Sequence, residues 1–263
     1  MKHDFQNISR KRRFIAVLCI LSSLALFGLS AYECLPEWKS SYLNAELRKQ
    51  VVLDSEKEVS EAGTGDVHLA RKIDFDSLKK INPDIIGWIY IPETQIDYPV
   101  LKGADLSYYL SHTYDGSSSK VGSIFTRPDT KRDLKDQHIF LFGHRLASGR
   151  MFGQLYQYEA QDFAAGHPIY LYTPKESRKY MAYAAYQCIK SDETYIPVNA
   201  GNAENYLELV KTKALYFENR VLEDAGQRRF LTLSTCPARN SSQNRFVVQC
   251  IKIDTWRETS CVY

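Results

Sequence analysis

The stretch that most restricts how this chain can fold is residues 228–252, RRFLTLSTCPARNSSQNRFVVQCIK. Residues 229–235 are, after one arginine, β-branched, aromatic and leucine side chains interrupted only by Ser234, the pattern of a mostly buried strand. The run ends on Cys236. Pro237 follows at once, and a proline cannot donate to a central ladder, so the strand must stop or become an edge there. Residues 238–244 are short and polar, with Asn and Ser suited to a turn. A second apolar strand is expected over 245–253. Cys236 and Arg245 would then sit near adjacent strand ends, nine positions apart (245 − 236), and face one pocket. A guanidinium beside a thiol favours the nucleophilic thiolate and can stabilise an oxyanion formed in acyl transfer. The stretch alone is equally compatible with a buried structural cysteine and a surface arginine on a hairpin.

A third residue, His144, separates the two readings. Residues 137–142 (QHIFLF) read as a short apolar strand that ends at Gly143-His144-Arg145. A histidine just past a strand end, after a glycine that lets the backbone turn, could reach a neighbouring strand's end. The other histidines lie before the apolar N-terminal run (His3), in a polar linker (His68), inside the strand (His138), and in turn-like contexts (His112, His167). A plain surface-loop histidine is the alternative for His144.

Taken together, the TLSTC run ending at Cys236, Arg245 downstream and Phe142-Gly143-His144 upstream resemble the sortases, membrane-anchored cysteine transpeptidases of Gram-positive cell surfaces. The serine in TLSTC and a long insertion before it point to the class B group. The resemblance runs over residues 82–254. It implies a closed eight-stranded β-barrel with N-terminal helices and a long helix inserted between strands 6 and 7. It implies Cys236 as nucleophile, His144 as general acid/base and Arg245 as transition-state stabiliser, with no metal or organic cofactor. The substrate implied is a C-terminal sorting peptide of the NPxTN type. The implied acceptor is an amino group, of a cell-wall precursor such as lipid II or of a pilin lysine. Pro237-Ala238 departs from the family, which commonly has an acidic or polar residue after the cysteine.

Upstream, residues 14–32 carry no charge over 19 positions, enough to cross a bilayer as a helix, and Arg10-Lys11-Arg12-Arg13 precede them. The expectation is a cytoplasmic N-terminus (1–13), a transmembrane signal anchor (14–32), an extracellular stalk with N-terminal helices (33–81) and a catalytic barrel (82–263). A cleaved signal peptide is the competing reading, since Gly28 and Ser30 give a small-x-small site. Residues 37–61 read as an amphipathic helix, 61–68 as a Gly-rich break and 73–81 as a short helix closed by Asn82-Pro83. The formal charge of +3 is too small to argue for nucleic acid, and no nucleic-acid motif is visible.

From residue 85 the pattern becomes that of strands: 87–91 with 96–101 as antiparallel partner, then 122–126, 138–142, 167–172 and 179–189. Short helices are expected at 106–110 and 151–158. Counting the final pair gives about eight strands, and an antiparallel sheet of that size commonly closes into a barrel. The exception is 203–219, where Ala203, Tyr206, Val210, Ala214 and Phe217 recur at helical spacing. The resemblance makes the segment before it the reader of the sorting peptide, with Ser191, Tyr195 and Ile196 as contacts and Leu110 opposite. By strand alternation either Ser234 or Thr235 faces the site, and Ser234 is the candidate. Six cysteines with no CxxC spacing exclude a zinc or redox framework, although a Cys188–Cys250 disulfide stays open. A papain-like hydrolase conflicts with His144 lying 92 residues before the cysteine (236 − 144). A non-catalytic membrane-tethered barrel would carry Cys236 only as core.

Overall fold

The computed structural model describes residues 2–53, 57–60, 67–237 and 243–256. The chain forms two compact units, Met1–Leu43 and Asn44–Tyr263. Helix α1 (Lys2–Val51) carries the apolar N-terminal run and passes through Pro36. Among the described residues, no helix is long and apolar enough to cross a membrane. The helix expected over 37–61 stops ten residues early. At the β-branched pair Val51-Val52 the backbone leaves the helix for strand-like bonds: Val52 bridges Ile73, and Asp74 N–H donates to the Val51 carbonyl. Strands β1 (Lys57–Ser60) and β2 (Val67–Ala70) then pair antiparallel around the expected Gly-rich break. Helix α2 (Phe75–Ile81) begins after Asp74, whose carboxylate accepts from Ser77 N–H at 2.9 Å, and closes at extended Asn82 before Pro83.

Eight strands follow: β3 (Ile85–Tyr90), β4 (Asp97–Leu101), β5 (Ile124–Thr126), β6 (His138–Arg145), β7 (Ile169–Tyr172), β8 (Ser177–Ile189), β9 (Phe230–Pro237) and β10 (Asn244–Trp256). They close a barrel in the order β10-β8-β7-β3-β4-β5-β6-β9, bearing out the expected eight-stranded closure. The barrel is mixed and not purely antiparallel, because β5 runs parallel to β4 and β9 runs parallel to β6. Both exceptions join strands separated by connections too long for a hairpin. Helix α3 (Gln161–Gly166) follows a 3-10 stretch at Gly153–Glu159, where one short helix was expected.

Two apolar clusters divide the barrel wall. The first takes side chains from all eight strands, including Ile89, Val100, Ile124, Leu141, Leu171, Ala182, Leu233 and Val248, and so fills the interior. The second lies on the other face of β8, β9 and β10, where Tyr183, Tyr186, Phe230 and Val247 pack under Tyr206, Leu207 and Val210. Those three belong to α4 (Ala203–Lys213), the helix inserted between the sixth and seventh barrel strands. Burying each contributes roughly 1.5–3 kcal/mol. The helix is shorter than the 203–219 stripe suggested. Beyond Lys213 the chain pairs with the edge of β8: Leu215 N–H donates to the Ala185 carbonyl, Glu218 N–H to the Tyr183 carbonyl, and Phe217 bridges Ala184. Apolar spacing there fits an edge segment as well as a helix. Cys188 and Cys250 are buried free thiols.

Candidate active site

Strands β6 and β9 run side by side in register over eight positions, from His138↔Phe230 to Arg145↔Pro237, and this sets His144 directly beside Cys236. On the other side of β9, β10 pairs antiparallel with Val247 opposite Ser234. Two steps further along each strand (247 − 2, 234 + 2), beyond the last paired positions, lie Arg245 and Cys236, and the Arg245 charge acts on the Cys236 thiol. His144 and Cys236 therefore lie abreast on neighbouring strands, about 4.8 Å apart, and Arg245 lies on the third strand, β10. Pro237 is the last described residue of β9; of the turn expected over 238–244, residues 238–242 lie outside the described residues and Asn244 opens β10.

His144 sits within β6 and not beyond its end, and Gly143 is not a turning residue. Gly143 lacks the positive φ of a turn glycine, and a Cβ there would run into Ile124 Cδ1 and the Phe152 ring. Glycine is needed because residue 143 faces the filled interior, and alternation then turns His144 to the outer face. His144 is 8% exposed, and its Nε2 donates to the Leu110 carbonyl at 2.8 Å. Nδ1 is buried with no hydrogen-bond partner. Gly122, at φ +64°, lies so close to the Tyr109 and Leu110 carbonyls that a side chain there would displace the acceptor of this bond.

Cys236 is a half-buried free thiol. Burial pushes its pKa up to about 11, and the Arg245 charge pulls the other way. Burial therefore disfavours the thiolate in the free protein, and the guanidinium works against that penalty.

Alternation on β9 separates its side chains. Leu231 and Leu233 belong to the interior cluster, while Thr232 and Ser234 are buried on the outer face with Cys236 beyond them. Ser234 Oγ lies 2.7 Å from Tyr195 Oη, and Thr235 Oγ1 instead accepts from Phe246 N–H. Tyr195 sits in a one-turn helix, Glu193–Tyr195, its ring alongside Phe140 and Phe142 and its carbonyl held by Arg127 at 3.0 Å. Cys188 Sγ is 3.9 Å from the same phenol oxygen. Ser191 and Ile196 are exposed on this connection. Of the sequence-derived contacts, Ser234 and Tyr195 meet each other, and Leu110 meets His144 through its backbone.

A buried polar chain on this same face went unread in the sequence. Val198 N–H donates to His138 Nδ1 at 3.2 Å, leaving Nε2 to donate to Thr232 Oγ1 at 2.7 Å. Thr232 donates to Gln249 Oε1, and Gln249 Nε2 to Tyr186 Oη, both at 2.8 Å. Burial first, and then the Arg127 charge, hold the His138 pKa down to about 3. The available signal was a threonine and a glutamine in strands otherwise apolar at alternate positions. No group of His, Cys, Asp and Glu suited to a metal occurs among the described residues.

Residues 89–253 match the family model described as "Sortase domain". A protein named Sortase B from Listeria monocytogenes is 32% identical over 207 residues, spanning 76% of this chain and 83% of that protein. Sortase B from Staphylococcus aureus is 28% identical over 253 residues, 93% of this chain and 98% of that protein. Among solved structures, sortase B from B. anthracis in complex with AAEK1 superposes with a TM-score of 0.67 at 28% identity, covering 84% of this chain and 99% of that one. A Staphylococcus aureus sortase B–substrate complex gives a TM-score of 0.62 at 28% identity, covering 68% and 84%.

Proposed function

Because this chain belongs to the sortase family and is a class B cysteine transpeptidase, we propose that Cys236, His144 and Arg245 carry its reaction on a C-terminal sorting peptide of the NPxTN type. The observation that carries the assignment is the register that sets His144 beside Cys236, with Arg245 on the next strand acting on the thiol by its charge. As substrate enters, the Cys236 proton passes to the imidazole, whose unpartnered Nδ1 is the available base. The sulfur attacks the scissile carbonyl, and the tetrahedral oxyanion is stabilised by the Arg245 guanidinium. Collapse breaks the C–N bond; the imidazolium protonates the departing amine and a thioester remains. An incoming amine, on this reading from a cell-wall precursor, gives its proton to His144, attacks the thioester and releases Cys236. Ser234 and Tyr195, joined at 2.7 Å, form one wall of the peptide cleft, with Ser191, Ile196 and Leu110 at its margins.

The test is mass spectrometry of protein mixed with a sorting peptide. The expected product is the N-terminal peptide fragment bound to Cys236 as a thioester, consumed on adding an amine acceptor and absent in Cys236→Ala. Wild-type cleavage by Cys236→Ala would overturn the assignment. We further propose that residues 14–32 anchor the chain with its barrel outside the cell, on the strength of 19 uncharged residues after a basic cluster. Full-length chain should then fractionate with membranes, and its recovery from the medium, cut near Ser30, would sink the anchor.

A further inference from the structure

At the barrel end remote from Cys236, three adjacent strands gather positive charge. Thr255 on β10 is the register partner of Arg178 on β8, and Lys252 N–H donates to the Arg229 carbonyl just before β9. With Lys135 and Glu176 these residues line a cleft of about 260 Å³. Four cations against one carboxylate leave it at +3 (4 − 1). Glu176 is already engaged by Arg178, at 2.8 Å to Nε and 2.6 Å to Nη2. Arg178 also donates to the Leu134 and Asp133 carbonyls, and Arg229 to the Lys135 carbonyl, so the arginines and the 133–135 backbone hold each other in place.

The lysines differ from the arginines. Neither Lys135 nor Lys252 forms an ion pair with a described residue. Burial, and then the charges of Arg229 and Arg178, pull the Lys252 pKa down, only partly offset by Glu176 and Asp254. Thr255 Oγ1 is buried in the cleft wall without a partner. Fixed guanidinium groups, two uncommitted ammonium groups and an unused hydroxyl form a donor set for a multi-oxygen anion. The cleft is smaller than most drug-sized pockets, which suits an ion or a headgroup.

We propose that this cleft binds a phosphate or phosphodiester group. It is separate from the catalytic residues: Arg229 lies seven residues before Cys236 (236 − 229), about 23 Å along an extended strand. The test uses full-length protein in a neutral detergent and three probes followed by phosphorus NMR: inorganic phosphate, an oligomeric glycerol phosphate, and short-chain phosphatidylglycerol. Binding of any of them that weakens at least tenfold in Lys135→Gln/Lys252→Gln supports the site. Binding of the oligomer or phosphate identifies a soluble source, and binding of the lipid alone identifies a membrane headgroup. The double variant should keep the wild-type melting temperature and peptide-cleavage rate, since neither side chain is used in packing bonds. Equal affinity of wild type and variant, or no binding of any probe, overturns the proposal.

Discussion

Two histidines six residues apart on one strand, facing the same side, have opposite fates. At the inner end of the β6–β9 seam, His138 has both ring nitrogens bonded, one from Val198 N–H and one to Thr232, and burial keeps it neutral. At the outer end, His144 has one nitrogen fixed by the Leu110 carbonyl and the other left without a partner. The backbone treats both alike, each in register with a β9 residue. What differs is the cover. The connection carrying Val198 lies over His138 and supplies one of its bonds, with Thr232 of β9 supplying the other, whereas His144 has the Leu110 carbonyl on one nitrogen and Cys236 as its register neighbour. The two imidazoles thus differ in how fully their nitrogens are satisfied, and a fully satisfied histidine is a poor base.

Breaking the outer end should give the largest effect. His144→Ala removes the proton acceptor and is expected to lower kcat/KM by about 10²–10⁴-fold with the melting temperature nearly unchanged. A rate within a few-fold of wild type in a quenched-peptide assay would mean His144 is not the base. On the same assay, Arg245→Lys keeps the charge but loses the planar fork, and a loss of at least tenfold is expected; an unaltered kcat/KM would remove Arg245 from the site.

The inner end should respond in stability instead. His138→Ala leaves Thr232 and Val198 N–H short of partners, at a cost of about 2–4 kcal/mol measured by denaturant unfolding, with turnover per folded molecule within a few-fold. The sign of the pH effect follows from the depressed pKa. The unfolded imidazole takes up a proton below its ordinary value of 6.5, whereas the folded one does so only near 3. Its contribution is therefore complete above pH 6.5 and is lost as pH falls, at up to about 1.4 kcal/mol per pH unit. That slope should diminish by about one proton in His138→Ala, and an identical acid-unfolding slope in both proteins would contradict the network. The smallest change is expected at the boundary between the two ends. Tyr195→Phe keeps the ring on Phe140 and Phe142 but cuts the bond to Ser234, worth about 1 kcal/mol, so a rise of a few-fold in KM at constant kcat is expected. An unchanged KM would take the phenol out of the peptide cleft.

The sequence by itself determined the local parts. The apolar run ending at Cys236-Pro237, the returning strand with Arg245, the helical stripe from Ala203 and the opposite facing of Ser234 and Thr235 are all set by side-chain spacing over a few residues, which a chain displays without folding. Only the tertiary structure decided what those parts meet. The parallel pairing of β6 with β9 brings together residues 92 apart (236 − 144), and no local period encodes it. The same closure put His144 inside a strand, made Gly143 a matter of room against Ile124, and stopped α4 at Lys213 because the edge of β8 offered backbone partners to the residues beyond. It also satisfied His138 and left His144 open. Pattern fixes which way a side chain points; pairing in a closed barrel fixes its neighbour, and the reactive geometry depends on the neighbour.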